Sequence, residues 1–224
     1  MDNLDIAEDK FKIIYAEVKD DLSNVESEED SKIKIINRIF TESLGWKFSN
    51  IKAENHHDSG FSDYIFKESG SAGLVLEAKR VGILDVQTAN KDEIRHLKIS
   101  GSTLKKCLPG IRQAFSYASE EGMPIAVVTD GITWVVFKTW VQGGSYKDKE
   151  AIVFPSLKAI LNSFSQFYEL LSFECYNQRL YNSIFDSVHN NRHNLVVPLC
   201  APLEDDRINI LSKSPISFDL EKIF

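Results

Sequence analysis

Several features that mark particular protein classes are missing from this chain. It has three widely separated cysteines, Cys107, Cys175 and Cys200, and no CxxC pair, so a zinc cage is not expected. No apolar run reaches the ~20 residues that cross a membrane, and the acidic N-terminal segment lacks the apolar stretch of a signal peptide. The phosphate loop G-x-x-x-x-G-K-[ST] is also absent, so we expect no nucleotide-driven motor. Together these absences predict a cytoplasmic protein with free thiols.

Positive charge is scarce, with 26 Lys and Arg against 33 Asp and Glu and a formal net charge of −7. A protein that coats nucleic acid non-specifically needs a basic surface, so the composition argues against that class. It is compatible with a nucleic-acid enzyme, because metal ions supply positive charge locally and their carboxylate ligands make a chain acidic. The cations concentrate in one segment, at Lys79, Arg80, Lys91, Arg95, His96, Lys98, Lys105, Lys106 and Arg112. This basic segment fits either a DNA-facing rim or a solvated surface.

Apolar residues at helical spacing predict a series of helices. The first covers residues 5–22, and the second begins at Ser27, a capping residue followed by acids, and stops at Gly45. Further helices are expected over residues 84–98, 108–121, 157–171 and 175–188.

Short apolar runs between these helices predict a sheet. FSDYIF and LVLEAKRV are typical of strands, and the two runs around Asp130-Gly131 are typical of a hairpin. Residues 46–57 fit a strand or a loop, and residues 143–150 fit a polar loop. The order of elements predicts an α/β (α+β) fold with a central mixed β-sheet flanked by helices. We expect a core over residues 1–150 and, over 151–224, a helical extension with an irregular tail that packs on the core or leads to a partner or second domain.

Three polar residues on two predicted strands are the candidate functional group. Glu77 and Lys79 are two positions apart on one strand and therefore project from the same face, with Ala78 on the other. Asp63 lies on the preceding strand, and the Gly-rich turn between the strands predicts a hairpin that brings it beside Glu77. An isolated E-x-K tripeptide is most often a structural ion pair. An acid on the adjoining strand favours an active site instead.

Five segments in order, SEEDSKIKIINRIFTESLGW, GFSDYIF, LVLEAKR, RQAFSYA and IAVVTDGITWVVF, resemble a known family. They are similar to the N-terminal nuclease domain of type I restriction enzyme R subunits, in the PD-(D/E)XK nuclease superfamily. The resemblance covers residues 27–138 and implies a restriction-endonuclease-like core. It implies that Asp63 and Glu77 are metal-binding acids and that Lys79 is the catalytic lysine.

The same resemblance implies further site residues. The backbone carbonyl of Ala78 matches a metal ligand, and Gln113 and Tyr117 match a Q-x-x-x-Y motif. Gln113 is expected to orient Lys79 or touch a backbone phosphate, with an exposed helix residue as the alternative. Tyr117 lies four residues further along the same helix face and fits core packing equally well. An acid at the start of the first core helix matches either Glu28 or Glu29, and the spacing to the apolar run favours Glu28 as a catalytic and metal-binding residue.

These matches imply a Mg²⁺-dependent endonuclease that hydrolyses phosphodiester bonds in double-stranded DNA, within a bacterial restriction or antiviral system. Mn²⁺ is expected to replace Mg²⁺. The expected partners are DNA and either a second copy of the chain, a partner subunit or a motor. No association with a membrane is expected. Two alternatives stay open: a non-catalytic binding or scaffold domain on the same fold, and a nuclease for RNA or single strands.

Overall fold

A seven-stranded mixed sheet forms the centre of the computed structural model, which describes residues 3–57, 60–68, 73–140 and 144–185. The strands are β1 (Ile51–His57), β2 (Gly60–Phe66), β3 (Leu74–Ala78), β4 (Arg95–Lys98), β5 (Ile125–Thr129), β6 (Trp134–Lys138) and β7 (Glu150–Phe154). Their spatial order is β1-β2-β3-β5-β6-β7-β4. Among the pairings of these described strands, β3 and β5 run parallel and the others run antiparallel. The α/β class with a mixed central sheet is therefore confirmed.

Helices cover both faces of this sheet. They are α1 (Asn3–Asp21), α2 (Glu28–Ser31), α3 (Leu108–Glu120), α4 (Leu157–Asn162), α5 (Phe164–Leu171) and α6 (Phe173–Asn177). After α2 the helical backbone continues through two π-type segments, Lys32–Ile36 and Ile39–Ser43. Short 3₁₀ turns occupy Leu22–Asn24, Phe48–Asn50, Ser102–Leu104 and Tyr146–Asp148. Within the described ranges, no helix is long and apolar enough to cross a membrane.

The core has two layers because successive strand residues alternate between the two faces of the sheet. On one face Leu74 and Leu76 pack with α1, the segment after α2 and the C-terminal helices. On the other face Val75 packs beneath α3. Trp46 fastens the first layer, since its indole N–H donates to the backbone carbonyl of Leu171 at 2.7 Å. The C-terminal helices are thus part of the same hydrophobic core as the sheet.

The segment after the E-x-K strand differs from its prediction. The helix expected over residues 84–98 is wrong, because most of that segment is irregular and its end forms β4, which pairs with β7. Leu84 and Val86 are buried beneath α3. The Asp130 carboxylate accepts the backbone N–H groups of Gly82 and Leu84, at 2.9 and 3.3 Å. These hydrogen bonds, between residues far apart in the sequence, hold the backbone in a non-helical conformation that sequence periodicity does not predict.

The C-terminal third also differs from the prediction in detail. β7 was not predicted, and it lies between β6 and β4, so the sheet continues past the expected boundary at residue 150. One compact unit runs from Met1 to Asp186. The helix expected over residues 157–171 is divided at Ser163. The one expected over 175–188 begins earlier, as α6, and is followed by a helical turn at 181–185. The predicted tail lies outside the described residues.

Candidate active site

The β2–β3 hairpin brings the two predicted acids together. The antiparallel register pairs Tyr64 with Leu76, and the next position along the same register sets Asp63 opposite Glu77. The Asp63 Oδ2 oxygen accepts the backbone N–H of Ala78 at 2.8 Å. The expected hairpin is confirmed, and the Asp63 carboxylate is attached to the strand that carries Glu77. Ala78 itself is buried, and the ligand role of its carbonyl stays a prediction.

Glu77 is a buried acid with one oxygen left unsatisfied. Only 2% of the residue is exposed. Its Oε1 oxygen accepts a hydrogen bond from Lys79, and among the described residues nothing donates to its Oε2 oxygen. Burial raises the pKa of Glu77 to about 7; the hydrogen bond from Lys79 opposes that rise, and the nearby charge of Asp63 adds to it. A buried carboxylate oxygen without a partner is costly, so this position is suited to receive a cation.

Lys79 is held between the strand and helix α3. Its ammonium donates to Glu77 and to the Oε1 oxygen of Gln113, the latter at 3.3 Å. The Gln113 amide group in turn donates to the hydroxyl of Tyr117 at 3.0 Å. Gly110 lets the helix come this close, since a Cβ there would lie 2.8 Å from a methyl group of Val128. Of the Q-x-x-x-Y pattern, Gln113 therefore contacts the lysine directly, and Tyr117, which is buried in the core, contacts Gln113.

The N-terminal part of the second helix contributes Lys32 to the site, a residue that the sequence did not predict there. The Ser27 hydroxyl accepts the backbone N–H of Asp30, as expected for the predicted cap, and fixes the position of the following turn. Lys32 then projects from this helix towards β2. Its Nζ atom lies 2.6 Å from Asp63 Oδ1, 2.9 Å from Glu29 Oε1 and 3.4 Å from Glu28 Oε1. Both candidate acids are therefore linked to Asp63 through one ammonium group, and neither is singled out.

Lys32 is charged in a nearly closed environment, since 9% of its side chain is exposed. Burial lowers the pKa of Lys32, but the hydrogen bonds to Asp63 and Glu29 outweigh that effect, and the pKa is raised above its ordinary value. One sequence signal pointed to this residue. Lys32 is in phase with Ile35, Ile36 and Ile39 on the buried side of the helix, where a lysine is expected only with a charged partner.

Part of the basic segment lies on a strand far from β2 in the sheet order, and part of it forms ion pairs. Arg95 and Lys98 lie on β4, the edge strand at the opposite end of the sheet order from β1 and β2. Lys91 and Lys106 both pair with Asp85, at 3.4 and 2.8 Å. These exposed pairs favour the interpretation as a solvated surface over a single DNA-facing rim for this part of the segment.

The donor set fits a hard cation that keeps part of its water shell. Asp63 and Glu77 are adjacent carboxylates, and Glu77 Oε2 is free of a described partner. Within the described ranges, no three His, Cys, Asp or Glu side chains form a group that could hold a metal ion. Mg²⁺ commonly uses one or two carboxylates together with water and substrate oxygens, so a two-carboxylate site is compatible with it.

Comparison with known proteins identifies no relative of this chain. Neither a protein-family model, nor a curated protein, nor a solved structure matches the chain. The relationship to the PD-(D/E)XK nucleases thus rests on the ordered sequence segments and stays a proposal.

Proposed function

We propose that this protein is a metal-dependent nuclease of the PD-(D/E)XK type that hydrolyses phosphodiester bonds in DNA. The observation that carries the proposal is the convergence of Asp63, Glu77 and Lys79 at one end of the β2–β3 hairpin. The unsatisfied, buried Oε2 oxygen of Glu77 strengthens it, because a purely structural ion pair would be expected to satisfy both oxygens. DNA as the substrate, a role in bacterial restriction or antiviral defence, and a partner subunit or motor are proposed from the sequence resemblance.

Each residue has a defined part in this proposal. Asp63 and Glu77 would hold Mg²⁺, with the Ala78 carbonyl and Glu28 as further candidate ligands. When bound, the ion supplies positive charge at the phosphate and lowers the pKa of a coordinated water. Lys79 stabilises the negative charge that grows on the phosphate oxygens, since its ammonium projects from the same strand face as Glu77.

Gln113 and Tyr117 act through Lys79 rather than on the substrate. The amide oxygen of Gln113 limits the directions that the lysine ammonium can take, and the tyrosine hydroxyl holds the amide. Such a chain of hydrogen bonds keeps a catalytic group in place before the substrate arrives. They are therefore positioning residues.

The proposal is tested by cleavage of supercoiled plasmid in the presence of Mg²⁺ or Mn²⁺. Asp63→Asn, Glu77→Gln and Lys79→Met are each expected to lower the rate by about 100-fold or more. Glu8→Gln and Lys12→Met, which break an exposed ion pair on α1, are the matched controls and should cut like wild type. If wild type cleaves no substrate among duplex DNA, single-stranded DNA and RNA, the nuclease proposal is wrong.

The same panel separates the alternatives. Cleavage confined to RNA or to single strands replaces the proposed substrate but keeps the site. A wild-type protein that binds no Mn²⁺ in calorimetry and cuts nothing belongs to the non-catalytic class.

A further inference from the structure

The Lys32 ammonium lies among the acidic residues of the proposed site, where a metal cation would also bind. Its ammonium lies against carboxylate oxygens of Asp63, Glu28 and Glu29, with the closest approach, 2.6 Å, to Asp63 Oδ1. Lys34, two residues further on, makes a different kind of contact. It pairs with Asp30 at 3.1 Å, and 40% of its side chain is exposed, compared with 9% for Lys32. The same helical segment thus carries one lysine in a buried ion pair and one in an exposed ion pair, and the exposed one can serve as a control.

The charges around Lys32 leave room for another cation. Lys32 contacts the carboxylates of Glu28, Glu29 and Asp63, and Lys79 contacts that of Glu77, which lies opposite Asp63, so four carboxylates stand against two ammonium groups. When all are ionised, two formal negative charges remain, which equals the charge that one divalent ion neutralises. The Lys32 ammonium therefore supplies part of the positive charge that these four carboxylates can neutralise.

Both oxygens of Asp63 are already engaged without a metal. Oδ2 accepts the Ala78 N–H, and Oδ1 contacts the Lys32 ammonium. A divalent ion on Oδ1 would lie close to that ammonium in a site with little water to screen the two positive charges. This repulsion favours movement of one of the two cations.

On the basis of the proposed function, we infer that Lys32 is a further positioning residue of the site. Its ammonium holds the Asp63 carboxylate in place, and the divalent ion displaces this ammonium from Oδ1 when it binds. The displaced ammonium keeps Glu29 as a partner, whose carboxylate lies 2.9 Å from it. The Glu29 side chain is 66% exposed, so it can follow the ammonium towards solvent while Glu28 stays available as a candidate metal ligand. Asp63 is thereby kept in place by one cation until the other arrives.

The first experiment measures this displacement in the wild-type chain. Lysine acylation by a water-soluble succinimidyl ester is quantified by mass spectrometry, with and without saturating Mn²⁺. Labelling of Lys32 is expected to rise about fivefold or more with Mn²⁺, as the fraction of exposed ammonium increases. Lys34 is the internal control and should label equally in both conditions. Unchanged labelling of Lys32, in a sample where calorimetry confirms bound Mn²⁺, overturns the inference.

The second experiment uses variants and a binding readout that needs no cleavage. Lys32→Met should bind Mn²⁺ about tenfold more tightly than wild type, since no ammonium then competes for Asp63. Lys34→Met and Lys32→Arg, which keeps the positive charge, should bind with nearly the wild-type affinity. Equal affinity of Lys32→Met and wild type overturns the inference and leaves the nuclease proposal intact. Wild type without any Mn²⁺ binding overturns both, so the two failures are distinguishable.

Discussion

The Oδ2 oxygen of Asp63 accepts the backbone N–H of Ala78 at 2.8 Å, just beyond the last pair of the β2–β3 ladder. A side chain thus takes the place that a backbone carbonyl would have in a longer ladder. The contact fixes one carboxylate of the proposed site to the strand that bears the other. Asp63 is consequently a structural residue as well as a proposed metal ligand.

Replacing Asp63 should therefore affect stability, and the choice of substitution matters. Asp63→Ala leaves the buried Ala78 N–H without an acceptor and takes the closest partner from Lys32, so it should lower the free energy of unfolding by about 2 kcal/mol. Asp63→Asn keeps an oxygen that can accept the N–H and should lose roughly half as much. Urea denaturation at neutral pH measures both. Equal losses for the two variants would contradict a specific role for the hydrogen bond.

Glu77 should make the metal-free fold less stable at high pH. Its pKa is raised from 4.5 in the unfolded chain to about 7 in the folded one. Between these values the folded state binds more protons, so the contribution of Glu77 to stability decreases as the pH rises to 7 and stays low above it. Glu77→Gln cannot ionise and should be more stable than wild type by up to about 3 kcal/mol at pH 8, with almost no difference near pH 4.

This pH dependence is measured by denaturation in EDTA from pH 4 to 8. Glu42→Gln, an exposed acid paired with Arg38, is the control and should give no comparable gain. A constant difference between wild type and Glu77→Gln across the range would exclude a raised pKa at Glu77.

Gly110 should reverse the usual effect of alanine in a helix. Glycine to alanine normally stabilises a helix by up to about 1 kcal/mol. At Gly110 the added methyl would lie 2.8 Å from Val128 Cγ1 and 3.7 Å from Lys79 Cε. Gly110→Ala should therefore destabilise the fold by about 1–3 kcal/mol.

Thermal or urea denaturation tests the Gly110 prediction. Ser119→Ala, at an exposed position of the same helix, is the control and should be neutral or slightly stabilising. A stabilised Gly110→Ala variant would mean that α3 lies further from β3 and β5 than described.

Gln113 and Tyr117 should affect the turnover rate in graded steps. Gln113→Ala frees the Lys79 ammonium and should lower the single-turnover cleavage rate by about tenfold. Tyr117→Phe removes only the group that holds the amide, so a loss of about threefold is expected. Mn²⁺ affinity should stay unchanged in both, because the hydrogen bonds described for this pair run to Lys79 and between the two residues themselves. A loss of metal binding in Gln113→Ala would show that it supports the carboxylates instead.

The parts of the site that the sequence predicted are those set by short-range rules. Alternation along a strand places Glu77 and Lys79 on one face, and a tight hairpin brings Asp63 alongside. The contact of Gln113 with Lys79 joins α3 to β3, and it was expected only because of the resemblance to a family.

The features that the sequence did not predict depend on long-range packing. Lys32 has the i,i+4 spacing to an acid that is typical of an exposed helix pair, and its burial depends on where the helix meets β2. The backbone at Gly82 and Leu84 is held by Asp130, almost fifty positions away in the chain. β7 is a short apolar run that ends at Phe154, just before Pro155, and it is too short for periodicity to identify.

The proposed nuclease activity requires that Asp63 and Glu77 share a divalent cation. The most direct measurement is the anomalous difference density of a crystal soaked in Mn²⁺. We expect one peak within about 2.0–2.4 Å of a carboxylate oxygen from each residue. Saturating Mn²⁺ that leaves no peak there, with Lys32 still on Asp63 and Lys79 still on Glu77, would contradict it.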